Sequence, residues 1–146
     1  MKKFLIAGII ALITITAWYY IRHPIGEKAI INGQEIRLML AVTEAEKEKG
    51  LGYRDALAAG SGMLFVYDHP DRYGFWMKGM RFPLDFIWIN GNKVADISQN
   101  IPQPVNDTAQ PVSLAPKVPA DKVLEVNAGV IQSLGIRVGD LVQFVN

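Results

Sequence analysis

The chain has 146 residues with 15 basic and 14 acidic side chains, which gives a formal net charge of +1. This near-neutral balance leaves no electrostatic footprint for nucleic acid, so nucleic acid is not expected as a partner. The chain contains no cysteine, which excludes a disulfide framework and a lipid-accepting cysteine.

The N-terminus carries an apolar segment. Residues 4–21 read FLIAGIIALITITAWYYI and follow two lysines. As a helix this uncharged run reaches about 27 Å, close to the hydrocarbon thickness of a bilayer. Its closing aromatic residues suit an interfacial belt better than a peptidase site. The sequence therefore predicts a transmembrane signal anchor at residues 1–22, with a cleaved signal peptide as the alternative.

The two lysines before the apolar run favour an N-terminus inside the cell and an exported remainder. After a juxtamembrane linker at residues 23–28, residues 29–146 have the usual size of one domain. We expect a single-pass protein of the cytoplasmic membrane with an extracytoplasmic C-terminal domain. If the signal is cleaved, the domain is secreted or periplasmic.

The domain opens with a predicted hairpin. Residues 29–42 hold two β-type runs around the dipeptide Asn32-Gly33, which favours a two-residue turn. Thr43 and Glu46 fit a capping box, so a helix should begin there and end near Gly50. A second short helix is expected over residues 56–59, between an N-capping aspartate and a closing glycine.

Strands dominate the rest of the chain. They are predicted at residues 62–67, 75–80, 84–90 and 93–98, and the last two are joined by Asn90-Gly91 in the manner of a hairpin. Residues 100–120 carry five prolines, a pattern typical of a lid, a binding loop or a mobile excursion.

A strand at residues 122–127, a short helix ending at Gly135 and a final strand after the turn at Gly139-Asp140 complete the chain. The pattern indicates an α+β fold, mainly antiparallel β, in a single small domain. A sandwich or a partly closed barrel with two or three short helices fits it best.

Five motifs in this domain resemble an uncharacterised family, domain of unknown function 192 (DUF192). They are GLGYR (50–54), GMLFVY (62–67), FWMKGM (75–80), FPLDFIWIN (82–90) and VLEVNAG (123–129). The resemblance covers residues 29–146 and implies a small β-rich domain, often behind a signal or anchor in bacteria, with no established activity. Many members carry Asn-Thr where this chain has Gly79-Met80, so a site that relies on those two side chains does not carry over.

Three charges stand within the apolar stretch at residues 75–90: Lys78, Arg81 and Asp85. If residues 75–78 pair antiparallel with residues 85–90, Asp85 can form an ion pair with Lys78 or Arg81 that fixes a hairpin. A buried carboxylate needs such a partner, because an isolated buried charge is very costly.

The alternative to an ion pair is a polar pocket at one end of the sheet. Its candidate ligand-binding residues are Arg54, Trp76, Lys78, Arg81, Asp85, Glu125 and Asn127. Trp76 would be an apolar wall, and the cations would anchor an anionic or sugar-like ligand.

Two other functions compete with ligand binding. Asp85 and Glu125 could act as an acid–base pair in an envelope hydrolase. Phe75, Trp76 and Trp88 would favour a structural assembly module if they formed an exposed patch. Our leading hypothesis is a membrane-tethered extracytoplasmic domain that binds a small envelope molecule or a partner protein. No metal, no cofactor and no catalytic residue is assigned.

Overall fold

The computed structural model describes residues 27–106 and 108–146. The predicted signal anchor at residues 1–22 and the first part of the predicted linker lie outside the described residues. Within the described part of the chain, no helix is long and apolar enough to cross a membrane.

Strands make up most of the described chain. The elements are β1 (Lys28–Ile31), β2 (Gln34–Ala41), α1 (Glu44–Lys49), β3 (Ser61–Asp71), β4 (Phe75–Trp76), β5 (Leu84–Asn90), β6 (Lys93–Ile101), β7 (Ser113–Leu114), β8 (Ala120–Asn127), α2 (Val130–Ser133) and β9 (Val142–Val145). Seven strands form one sheet in the order β6-β5-β8-β3-β2-β1-β9, and β4 pairs with β7. Within the large sheet β2 and β3 run parallel, while the other neighbours run antiparallel.

The large sheet curls into a half-barrel. Beyond the pairing of β9 with β1, the turn before β9 bonds to the start of β6. Val94 N–H donates to the Asp140 carbonyl at 2.9 Å, and Gly139 N–H donates to the Val94 carbonyl at 2.8 Å. The two outermost strands of the sheet therefore meet at one end. The prediction of a mainly β domain with a partly closed barrel and short helices is confirmed.

The central strands β3, β5 and β8 contribute to two apolar clusters, because successive side chains point to opposite faces. On β5, Ile87 and Ile89 face one cluster, together with Ile131 of α2. Phe86 and Trp88 face the other. We call these the first face and the second face. The second face is covered by loop residues, among them Leu51, Leu57, Met77 and Met80.

Most of the predicted turns and helix caps form. The β1–β2 hairpin turns at Asn32 and Gly33, both of which have positive φ, at 52° and 77°. Thr43 and Glu46 form the complete capping box of α1, and Gly50 N–H closes the helix on the Glu46 carbonyl at 2.8 Å. The β5–β6 hairpin and α2 also form where the sequence predicted them.

The helix predicted over residues 56–59 is wrong, since this segment is irregular. Leu57 is buried in the cluster of the second face, and its carbonyl accepts a hydrogen bond from the Asn127 amide at 2.9 Å. Asp55 pairs with Arg81 and does not cap a helix. Tertiary contacts therefore override the local helix propensity of this short segment.

The strand predicted at residues 75–80 is limited to β4, and its predicted partner is wrong. Phe75 lies opposite Leu114 and Trp76 lies opposite Ser113, both within the proline-rich segment. Residues 75–78 cannot pair with β5, because β5 is already hydrogen-bonded by β6 on one side and by β8 on the other.

Candidate functional site

A pocket of about 400 Å³ lies between α1, β4 and the second face of the sheet. Its walls are aromatic and its rim is charged. The aromatic residues are Phe65, Tyr67, Phe75 and Trp76; the charged residues are Glu44, Lys47, Glu48, Lys49 and Lys78; Glu125 also lines it. We call it the Glu125 pocket.

Glu125 is the buried acid of this pocket. It lies near the end of β8, opposite Met63 of β3 and Phe86 of β5, and its residue surface is 4% exposed. Burial raises the pKa of its carboxyl group to about 8. Among the described residues no side chain forms a salt bridge with it. At neutral pH Glu125 is therefore mostly a neutral acid that can donate a hydrogen bond.

Aromatic packing fixes the orientation of Trp76. Its neighbour Phe75 makes edge-on contacts with Phe65 and Trp88, with ring centroids 4.9 Å and 5.4 Å apart. Because Phe75 points into the sheet, Trp76 points away from it and stays 48% exposed. Trp88 is fully buried and donates to Ser98 Oγ at 3.0 Å. The exposed aromatic patch considered for an assembly module is therefore not formed by these residues.

Lysines lie over the aromatic rings at the rim. Lys47 Nζ is 4.4 Å from the ring centroid of Tyr67. The Tyr67 ring also stacks on Tyr73, with the two ring centroids 3.6 Å apart. Lys78 Nζ is 5.4 Å from the centroid of Trp76. These distances are within the range of cation–π attraction. The contacts keep two ammonium groups at the mouth of the pocket.

A glycine brings the two sides of the rim together. A Cβ atom at Gly52 would lie 2.9 Å from the Lys49 carbonyl oxygen and 3.2 Å from that of Lys78. Only a glycine lets the segment after α1 approach the backbone at Lys78 this closely. The close approach holds α1 beside the segment that carries Trp76 and Lys78.

Asp85 belongs to the first face and has no part in this pocket. It is completely buried; Asn100 N–H donates to its Oδ1 at 2.7 Å, and Ile131 N–H donates to its Oδ2 at 2.9 Å. The predicted ion pair with Lys78 or Arg81 is therefore wrong. Two backbone amides satisfy the carboxylate instead and tie β5 to β6 and to α2.

Asp85 and Glu125 cannot act as an acid–base pair. Glu125 lies opposite Phe86, whereas Asp85 lies opposite Val126. Residues directly opposite each other share a face of a sheet, so the two carboxyl groups project from opposite faces. The predicted arrangement of two catalytic carboxyl groups is contradicted by this register.

The other candidate residues lie at different places. Arg81 pairs with Asp55 at the surface. Arg54 lines a separate depression beside Arg37. Asn127 is occupied by its hydrogen bond to the Leu57 carbonyl. Of the seven candidates, the structure brings Trp76, Lys78 and Glu125 together.

Sequence reasoning missed the contribution of α1 and Tyr67. The capping box predicted where α1 begins, but α1 was assigned to no site. Tyr67 ends the apolar run of β3 and was assigned no role. One signal was available for Tyr67, since a tyrosine that closes an apolar run combines a hydrophobic ring with a polar hydroxyl group.

Comparisons with known proteins give a family and a fold. The model of DUF192, described as Uncharacterized ACR, COG1430, matches residues 27–144. No curated protein matches the chain. A protein of unknown function from Novosphingobium aromaticivorans DSM 12444 is 33% identical, with a TM-score of 0.72, over 80% of this chain and 84% of that chain.

A second solved structure, from Sinorhizobium meliloti 1021, is described as a candidate transcription regulator. It is 28% identical to this chain, with a TM-score of 0.70, over 82% of this chain and 95% of that chain. The family match spans the entire half-barrel described above, from the residue before β1 into β9. The chain therefore belongs to the DUF192 family.

Proposed function

We propose that this domain is a binding module that takes a small ligand with hydroxyl or anionic groups in the Glu125 pocket. The observation that carries the proposal is the buried carboxyl group of Glu125, which opens to a cavity and has no ion-pair partner among the described residues. Asp85, by contrast, is fully satisfied by the fold. The Glu125 carboxyl group faces the cavity and has no comparable structural task, which favours a role outside folding.

The charges of the pocket favour an acceptor-rich ligand. When Glu125 is neutral, the pocket is lined by three positive and two negative side chains. The positive ones are Lys47, Lys49 and Lys78, and the negative ones are Glu44 and Glu48. Glu125 then donates a hydrogen bond to a ligand oxygen, and the lysines attract negative charge. A cationic ligand is disfavoured, because Lys47 already lies over one face of Tyr67 and Lys78 over one face of Trp76.

The proposed setting is the cell envelope. It is supported by the apolar run at residues 4–21, which could tether the domain to the bacterial cytoplasmic membrane with the domain outside. The near-neutral charge balance gives no support for a nucleic-acid ligand. The regulator description therefore stays with the protein from Sinorhizobium meliloti.

Titration of the full-length protein with galacturonate, glucose and putrescine, followed by NMR chemical shifts, tests the proposal. We expect galacturonate to bind most tightly, and Trp76→Ala and Glu125→Ala each to weaken it at least tenfold. Wild-type affinity should fall as pH rises through about 8, since Glu125 loses its proton there.

Glu125→Gln keeps a neutral hydrogen-bond donor and should bind with no such pH dependence. The control is Asp68→Asn, which removes an exposed carboxylate that does not line the pocket. The proposal is refuted if neither galacturonate nor glucose binds, if putrescine binds most tightly, or if the Glu125 and Trp76 variants bind as the wild type does.

A second candidate is an envelope hydrolase in which Glu125 alone supplies the acid. The raised pKa of its carboxyl group favours this role, because a general acid must hold its proton near neutral pH. Hydrolysis of a chromogenic glycoside or phosphate ester by the wild type, and not by Glu125→Gln, would support an enzyme over a binding module. Binding of these substrates without hydrolysis by the wild type would contradict the enzyme.

A further inference from the structure

The Glu125 pocket continues into two neighbouring depressions. One of about 270 Å³ shares Lys49, Trp76 and Lys78 with it. A third of about 500 Å³ is joined to the second through Tyr53 and Lys78, and it extends to residues 81 and 103. Lys78 borders all three. We call the whole surface the groove, and its length suits a chain-like ligand better than a single small ring.

Tyr53 is held in the groove at a cost to the backbone. Its φ is +63°, which is uncommon for a residue with a bulky side chain, and its surface is 65% exposed. Its N–H donates to the Gly79 carbonyl at 2.8 Å. A strained backbone that presents an exposed ring is not explained by burial, and strain of this kind concentrates at functional sites.

Gly79 leaves the space in which the Tyr53 ring lies. A Cβ atom at Gly79, where φ is +68°, would come within 2.8 Å of the ring. Trp76 lines the same depression as Tyr53 and Lys78 and is half exposed. The groove therefore offers two ring faces beside a cation.

We propose that the groove binds a linear oligosaccharide that carries acidic groups, with sugar units stacked on Trp76 and Tyr53 and an acidic group held by Lys78. This inference rests on the proposed function and names its ligand class. A pyranose ring has an apolar C–H face and a rim of hydroxyl groups, which matches ring faces bordered by polar side chains.

The charges of the groove select the acidic type. The two added depressions are lined by Lys49, Lys78 and Arg81 against Glu48, and Arg81 already has Asp55 as a partner. Lys49 and Lys78 are left to outweigh Glu48, which favours a ligand with negative charge.

Affinity as a function of chain length tests the inference. The full-length protein is titrated by calorimetry with galacturonate, with tetragalacturonate and with tetraglutamate as a peptide of similar charge. We expect the tetramer to bind at least tenfold more tightly than the monomer, and tetraglutamate to bind more weakly than the tetramer.

Two variants separate the groove from the Glu125 pocket. Tyr53→Ala should reduce the tetramer affinity to that of the monomer and leave the monomer affinity unchanged, because Tyr53 does not line the Glu125 pocket. Gly79→Ala should have the same effect on the tetramer affinity, because its Cβ atom would displace the Tyr53 ring. Val138→Ala, an exposed apolar residue elsewhere, is the control and should change neither affinity.

The outcomes distinguish the two proposals. If monomer and tetramer bind equally, the groove inference is overturned and the pocket stands. If tetraglutamate binds as tightly as the tetramer, the groove recognises charge or peptide and the sugar assignment is wrong. If no saccharide binds, the proposed function fails together with the inference.

Discussion

Asp85 and Glu125 are buried carboxyl groups only forty residues apart on adjacent strands, yet their surroundings differ completely. Asp85 accepts two backbone N–H groups and has a structural task. Glu125 is also buried, but it forms no ion pair among the described residues and it lines a cavity. The stability of variants at the two positions should therefore respond in opposite ways.

Asp85→Asn should lower the free energy of unfolding by about 2 kcal/mol, because the amide nitrogen would face a backbone N–H donor and leave it unsatisfied. Urea unfolding near pH 7 measures this. Asp68→Asn, at an exposed position, serves as the matched control and should stay within about 0.5 kcal/mol of the wild type. Equal stability of Asp85→Asn and the wild type would mean that the two backbone contacts contribute nothing.

Glu125 should make the fold less stable as pH rises. Its pKa is about 8 in the folded protein, above the ordinary value of 4.5, so the folded state holds the proton more tightly between these values. The stability that this proton contributes is complete below about pH 4.5 and is lost as pH rises to about 8. The loss is at most about 1.4 kcal/mol per pH unit for one proton.

Glu125→Gln isolates this effect, since glutamine keeps the shape and does not titrate. In urea unfolding from pH 5 to pH 9, the free energy of unfolding of the variant should rise relative to that of the wild type up to about pH 8. Above that pH the difference between the two proteins should be constant. Parallel pH profiles for the two proteins would rule out a raised pKa at Glu125.

At the scale of the elements, α1 depends on its cap. It has six residues and none of them is buried, and helices this short are not stable by themselves in water. Glu46 accepts the N–H groups of Val42 and Thr43 at 3.0 Å and 2.8 Å, which lowers the pKa of its carboxyl group. The capping box therefore holds the charged rim of the Glu125 pocket in place.

Thr43→Ala should loosen α1 and leave the sheet intact. Losing such a cap costs about 1 kcal/mol, and the cost should be felt as local opening because α1 buries no residue. Native-state hydrogen exchange at Lys47 and Gly50 should become faster, while exchange in β8 stays unchanged. Thr108→Ala removes a hydroxyl that bonds only within its own loop and is the control. Unchanged exchange in α1 would show that the cap is dispensable.

Elements defined by their own sequence were predictable, and those defined by distant partners were not. The hairpin at Asn32-Gly33 and the box at Thr43 and Glu46 follow from local chemistry, and both form. β4 has two residues and is a strand only because it meets β7, far along the chain in a segment rich in proline. No local pattern indicates that pairing.

For the whole molecule, alternation along β5 and β8 decides which side chains share a face, and the two clusters follow it. The register between β5 and β8 was not readable, so the sequence could not show that Asp85 and Glu125 lie on opposite faces. The parallel pairing of β2 with β3 was likewise hidden. Trp76, Lys78 and Glu125 were identified individually, while the α1 rim required the tertiary structure.

The pairing of β1 with β9 bears on how the chain can fold during its synthesis. β1 is the first strand of this sheet to be synthesised, and the partner for one of its edges is the last. The contact between β6 and the turn before β9 also forms only when the end of the sheet has been synthesised. Until then the two strand edges stay unpaired and are open to incorrect pairing.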